Sequence, residues 1–568
     1  MSTSESQGQV VTTSQYLLDR SVVTLRENAI KWSLRSLDDR IADLASIRSR
    51  TMEAAPDLVA DALQAKGIGP EMAGEEWISG PYSVLRTLRF LQATLEGIRR
   101  RGEVPLPDDA IRERADGQVA VDVLPGDGWD RILYPGWKAS VRMDPSIGRG
   151  QARLNLGGIY TKPETADAAV AVVLAAGNVS SITQLDLVHK LFVEGHVAMV
   201  KFNPVNDYIG PYVEHGFADL IEAGFVRTSY GGAEVGDHLV MHPETDEVHI
   251  TGSEVTHDAI VFGTGPDGAA RKAANTPRMK KPITSELGNV SPVIVVPGAW
   301  SDREMSYQAE HVATQLLQNA GYNCNAVKVV VLPETWDQCR EFMDLVGEKL
   351  ASRPDRRPYY PGSLERYGRI IDGGGEVRTY GDSEEGLPPT IVAVEADADH
   401  PAFAEEAFCR IMATVTLPGD GPVEFLDRAV EFCNDRLRGT LNVTLLVDKA
   451  TLKANQPAVD RAIDDLRYGT VGLNLWAAAG FALGVTPWGA FPGHTLQDIG
   501  SGIGFVHNAR LIDRPQKTVV QAPFVLVPKP TWSVFHGNSA AALRKATAFE
   551  ARPAAWRVPG LLAAAVRV

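Results

Sequence analysis

The sequence predicts an α/β protein whose sheets are mainly parallel, and three observations carry that prediction. From residue 169 short β-branched runs alternate with helical stretches, and a second alternating block begins at Pro292. Such alternation stacks strands in parallel with helices on both faces. The length, 568 residues, exceeds one ordinary core, so two or three domains are expected.

The elements follow in order. Residues 1–10 are polar, lack an apolar h-region, and are expected to be disordered rather than a signal peptide. Helical periodicity covers 16–63 and 82–101. Residues 117–156 hold short β-like runs, QVAVDVL, WKASVRM and QARLNL, expected as strands projecting from the body. Then come AVAVVLAAG as a buried strand, a helix over 181–194, the strand VAMVKF, a helix over 206–223 and the strand FVRTSY. A helix over 233–242, the strand EVHITGS and a helix over 255–262 complete the first block. GTGPDG at 263–268 follows a helix rather than a strand, so it is expected to be a loop and not a dinucleotide fingerprint. The second block runs through PVIVV, a helix over 302–319 started by a Ser301/Glu304 capping box, and the strand AVKVVVL, to about residue 475. TVVQAPFVLV at 518–527 is a late strand.

Bulk properties narrow the function. A net charge of -15 disfavours nucleic acid as the main partner. No apolar run is long enough to span a bilayer. Four widely spaced cysteines form neither a disulfide framework nor a metal-ligand spacing, so no metal is expected and free thiols in a cytoplasmic protein are the simple reading.

The chemistry concentrates in Asn319-Ala320-Gly321-Tyr322-Asn323-Cys324 and, about 38 residues upstream, Ser285-Glu286-Leu287-Gly288-Asn289. Cys324 falls on a helix-to-strand loop, where a thiol can face a crevice. Attack by sulfur needs a thiolate, so the site must lower the thiol pKa or supply a base. Glu286 ends a strand and suits a general base. Cys339, Cys409 and Cys433 lie in helical or apolar contexts and are expected to be plain buried thiols.

These two segments, in this order, resemble the aldehyde dehydrogenase superfamily, and the resemblance runs from about residue 169 to 524. It implies a Rossmann-type cofactor domain, an α/β catalytic domain and a small β oligomerisation element. The expected division is 1–115 helical layer, 116–160 projecting strands, 161–290 cofactor domain, 291–475 catalytic domain, 476–527 return and oligomerisation strand, and 528–568 tail. It further implies NAD or NADP as cofactor, a small-molecule aldehyde as substrate, and a homodimer or homotetramer, because the late strand pairs across the subunit interface in that family.

The resemblance carries roles onto single positions. Cys324 is the nucleophile, Glu286 the base that activates water against a thioester, and Asn178 an oxyanion donor. Lys201, Asn203, Gly252, Ser253, Leu287, Glu406 and Phe408 are expected at the cofactor, and Trp488 and Trp476 at an apolar substrate, although aromatic clusters are as often core. Three departures stand out. Asn178 sits in Ala176-Gly177-Asn178-Val179, closer to long-chain fatty acyl reductases of the superfamily. Pro204 occupies the place of a carboxylate that would repel a 2′-phosphate, so NADP is permitted. Cys409-Arg410 replaces Gly-Pro after Phe408. The expected reaction is oxidation of an apolar aldehyde to its acid. The rivals are an acyl-CoA reductase using NADPH, which would have no need of Glu286, and a catalytically idle interaction protein on the same fold.

Overall fold

The computed structural model describes residues 12–381 and 386–567. The expectation for residues 1–10 lies outside the described residues.

Two sheets organise the chain. The smaller has five parallel strands in the order Val226–Ser229, Val197–Lys201, Val170–Leu174, Glu247–Gly252, Ile283–Leu287. In chain order this is 3-2-1-4-5, so the direction of winding reverses between Val170–Leu174 and Glu247–Gly252. Ligands bind beyond the carboxyl ends of strands at such a switch point. Val170–Leu174 and Val197–Lys201 are apolar almost throughout because both faces of the sheet are covered. The helices Gln15–Ser33 and Ser180–Val188 pack on them, with Trp32 set between Phe192 and Phe225.

The larger sheet has eleven strands. Its parallel centre runs Pro515–Gln521, Thr470–Leu473, Asn442–Leu446, Pro292–Val295, Val329–Pro333, Ile411–Leu417, Thr390–Ala393. Side chains alternate across it, so Val329 and Val331 join one core while Val330 and Leu332 join the other.

Four expectations need correction. QARLNL is not a strand: Arg149–Ala152 is helical, Arg153–Asn155 is a tighter turn, and only Leu156 bridges, to Ile512. The short strand Ile111–Glu113 precedes the two that do form, Val119–Leu124 and Lys138–Met143. GTGPDG is loop only at Gly263 and Thr264, because the helix Gly265–Ala273 starts inside it with Pro266 in its first turn, where a missing N–H costs nothing. The late strand Pro515–Gln521 pairs within its own chain on both edges, antiparallel to Lys138–Met143 and parallel to Thr470–Leu473. Within this chain the strands expected to project continue the larger sheet.

No helix among the described residues is long and apolar enough to cross a membrane.

Candidate active site

Cys324 is placed by an unusual turn. The capped helix Asp302–Leu317 ends, and Asn319, Ala320 and Gly321 then take positive φ values of 51°, 54° and 78°. Only glycine fits at 321: a Cβ there would lie 2.4 Å from the carbonyl oxygen of Cys409. Beyond the turn, the Cys324 carbonyl accepts hydrogen bonds from Ser291 Oγ at 2.8 Å and Asn442 Nδ2 at 3.3 Å. The thiol is thus held at the mouth of the larger sheet rather than on a free loop.

Glu286 stands at the carboxyl end of Ile283–Leu287, facing that thiol. The Cys324 thiol hydrogen-bonds its carboxyl, and Trp488 Nε1 donates to Oε1 at 3.2 Å. Burial pushes the Glu286 carboxyl up to about 8, and the charges of Asp186 and Glu406 add to this, while the two hydrogen bonds oppose it. Burial also raises the Cys324 thiol well above its usual range, with Glu286 and Glu406 adding to the effect. The surroundings therefore do not lower the thiol pKa. They supply a carboxyl group that can take the proton once it has itself ionised.

Asn178 follows the strand Val170–Leu174 and is buried. Its Nδ2 donates to the Tyr322 carbonyl at 2.9 Å, and Asn319 Nδ2 donates to the Asn178 carbonyl at 3.1 Å. A primary amide carries two N–H groups, so one remains on a residue that lines the same cavities as Cys324.

Two cavities meet at Asn178 and Cys324. The larger, about 1220 Å³, is lined by all seven positions expected at a cofactor: Lys201, Asn203, Gly252, Ser253, Leu287, Glu406 and Phe408. Lys201 ends Val197–Lys201 and, among the described residues, its ammonium group has no hydrogen-bond or ion-pair partner; burial lowers its pKa, against the charge of Glu234. Ser253 Oγ accepts from Thr256 N–H at 3.2 Å and caps the helix Glu254–Val261. The Glu406 carboxyl is buried, and its Oε1 has no hydrogen-bond partner. It comes so close to Gly288 that a Cβ there would lie 2.3 Å from its Oε2. Phe408 has φ 44° and sets its ring edge-on to Tyr360 at 4.9 Å. Two residues on, Arg410 is buried and pairs with Asp355, which fixes the loop without the Gly-Pro of the family pattern. Pro204 is exposed and off the cavity wall, whereas Glu234 lines it.

The smaller cavity, about 150 Å³, includes Trp476 in its wall, with Trp476 Nε1 donating to the Asn325 carbonyl at 2.7 Å. Trp488 is not part of this wall. It is fully buried behind Glu286 and packs on Phe481.

Sequence reasoning missed the cluster that holds Asn319. Lys66 Nζ donates to Asn319 Oδ1 at 2.9 Å and pairs with Glu76 at 2.8 Å, all three buried. Glu75 accepts from the Asn319 N–H at 2.8 Å and from Arg356 at 2.6 Å, and Tyr359 donates to Asn319 Oδ1 at 2.8 Å. The one available signal was a Lys, a Glu pair and a Gly67 stop inside an otherwise amphipathic stretch. One grouping with metal-ligand spacing occurs among the described residues, Glu194, His196 and Glu247. It lies at the amino ends of the strands, and Lys190 Nζ already sits 2.5 Å from Glu194 and 3.2 Å from Glu247.

Residues 215–355 match the family model described as aldehyde dehydrogenase family. The chain is 26% identical over 307 residues to 1-pyrroline-5-carboxylate dehydrogenase 2 of Bacillus subtilis, covering 50% of this chain and 54% of that protein. It is 24% identical over 348 residues to 1-pyrroline-5-carboxylate dehydrogenase of Bacillus mycoides, covering 57% and 61%. The chain thus spans little more than half the length of the curated relatives it matches. Among solved structures, aldehyde dehydrogenase C of Pseudomonas syringae, in complex with NAD+ and octanal, superposes with a TM-score of 0.60 at 16% identity, covering 92% of this chain and 91% of that one. Glyceraldehyde-3-phosphate dehydrogenase of Methanocaldococcus jannaschii, complexed with NADP, gives 0.60 at 14% identity, covering 90% and 96%. Residues 215–355 thus match the aldehyde dehydrogenase family model, and the chain has the fold of the solved aldehyde dehydrogenases it superposes on.

Proposed function

We propose that the protein is an NAD(P)-dependent aldehyde dehydrogenase that oxidises an apolar, uncharged aldehyde to its carboxylic acid. The observation that carries this is the Cys324 thiol on the Glu286 carboxyl at the seam of two cavities.

The larger cavity fits a nicotinamide dinucleotide. It offers an unpaired ammonium at Lys201, a buried carboxyl oxygen of Glu406 with no partner, and a capped helix start at Ser253 for a pyrophosphate. Such a cofactor, when bound, would supply the hydride acceptor.

The protein groups act as follows. Ionised Glu286 takes the thiol proton, and Cys324 sulfur adds to the aldehyde carbon. The carbonyl oxygen becomes an oxyanion, to which the Asn178 amide and the Cys324 backbone N–H can donate. Loss of hydride leaves a thioester on Cys324. Glu286, having released the first proton to solvent, takes a proton from the water that attacks the thioester; the acid departs, and that proton returns to the Cys324 thiolate.

The substrate class rests on the smaller cavity. Apart from Cys324 and two tyrosines, its lining holds no ionisable side chain, so nothing there would balance a carboxylate or a phosphate. This separates the chain from relatives named for 1-pyrroline-5-carboxylate. The acyl-CoA reductase reading keeps one observation in its favour, the Gly177-Asn178-Val179 context. Purified protein given an apolar aldehyde and NAD or NADP, with and without coenzyme A, should release free acid without needing coenzyme A. Formation of acyl-CoA with little acid would reverse the assignment.

A further inference from the structure

The smaller cavity is closed by a part of the chain that comes after the last strand. Trp532, Leu543 and Ala546 line it and do not line the larger cavity. Leu543 and Ala546 belong to the helix Ser539–Ala551, and Trp532 stands edge-on to Trp137 at 5.4 Å. Leu543 packs in a cluster with Ala55, Val59, Ala73 and Trp77, separate from the cluster that holds Cys324.

This helix is fixed in place. Glu550, buried near its end, pairs with Arg86 at 2.9 Å and Arg89 at 2.5 Å, both on the helix Ser83–Arg101. Arg86 also pairs with Asp130 at 2.9 Å, and all of these side chains are buried. Carboxylate and guanidinium groups held this way out of water resist separation, because parting them strands a buried charge. The segment therefore forms a built wall and not a loose flap.

We propose that the C-terminal segment sets the length of the apolar chain the enzyme accepts, with Leu543, Ala546 and Trp532 as the stop. The proposal rests on the dehydrogenase reading for its substrate, and on the cavity alone for its geometry. An aldehyde would enter with its carbonyl at Cys324 and Asn178 and its hydrocarbon toward this wall. Apolar pockets discriminate chain length through one or two methylenes, each worth roughly tenfold or more in kcat/KM.

The test uses the full chain and the variants Leu543→Ala, Trp532→Ala and Ala546→Leu, each checked for folding by circular dichroism. Two readouts are taken. One is kcat/KM over straight-chain aldehydes from propanal to decanal. The other is the rate at which S-alkyl methanethiosulfonates of matching lengths form a disulfide with Cys324, followed by intact mass, which needs neither cofactor nor turnover. Leu543→Ala and Trp532→Ala should move the preference to longer chains, raising the long-to-short ratio about tenfold. Ala546→Leu should move it to shorter chains, with propanal little changed. Length profiles that run parallel to the parent in both readouts would overturn the proposal. If no aldehyde is oxidised by the parent, the dehydrogenase reading fails, and the disulfide series alone then decides whether this wall limits chain length.

Discussion

Lys66 Nζ sits 2.9 Å from Asn319 Oδ1, so a residue ending the helix Leu37–Lys66 fixes the turn that presents Cys324. The ammonium is shared with Glu76 in a pair that is almost wholly buried. Lys66→Met should strand the Glu76 carboxylate and free the Asn319 side chain. A broken buried pair costs about 3–5 kcal/mol. Denaturant unfolding should register that loss, together with a fall in turnover. Unchanged stability would mean the pair is not buried in solution.

The turn itself offers a second test. Gly321 combines a φ of 78° with a Cβ direction that meets the Cys409 carbonyl oxygen at 2.4 Å. Gly321→Ala must therefore move backbone beside the nucleophile. Strain of this kind costs on the order of 1–3 kcal/mol. Thermal unfolding should show it, and activity should drop further than stability alone explains, because Cys324 lies three residues on. A variant as stable and active as the parent would contradict the geometry.

Glu286 sets the pH dependence. Its carboxyl is pushed up to about 8, so at neutral pH it carries a proton and cannot accept another. Turnover should rise as pH increases through about 8 and level off above it. Glu286→Gln should remove this limb. Initial rates between pH 6 and 10 with a fixed apolar aldehyde check it. A rate that is flat, or falls, across that window would show that Glu286 is not the group that must ionise.

Cofactor choice should turn on Glu234 rather than on position 204. Glu234 lines the larger cavity and its charge acts on Lys201, whereas Pro204 is exposed and off the wall. A carboxylate there would disfavour a 2′-phosphate. Glu234→Gln should tighten NADP binding relative to NAD, by about 1 kcal/mol or more, since it removes one like charge. Fluorescence titration of both cofactors reads the ratio. Equal effects on the two would place the carboxylate away from the 2′ position.

Much of this was legible in the sequence, for physical reasons. Strands buried on both faces are continuous apolar runs, so Val170–Leu174, Val197–Lys201 and Pro292–Val295 announce themselves. The capping box at Ser301 and Glu304 fixed the start of the helix before Cys324. QARLNL misled because its alternation is too short to tell a strand from a helical turn. Trp488 was expected at the substrate and stands instead against Glu286, since a single aromatic in an apolar segment does not reveal which face it takes. The Lys66, Glu75 and Glu76 cluster was invisible because its partners lie more than 240 residues away in the chain. Likewise the closing of the small cavity by Trp532, Leu543 and Ala546 leaves no periodic mark.

The central claim is that Glu286 activates water against a thioester on Cys324. The most direct measurement is a rapid-mixing experiment with Glu286→Gln, an apolar aldehyde and saturating NAD or NADP, followed by intact mass. At a pH where the thiol ionises unaided, the account predicts at most one equivalent of reduced cofactor per site and an acyl adduct on Cys324. Steady turnover should then be slowed on the order of 10²–10⁴-fold, with Cys324→Ala giving neither adduct nor reduced cofactor. Undiminished release of free acid by Glu286→Gln, or turnover by Cys324→Ala, would contradict it.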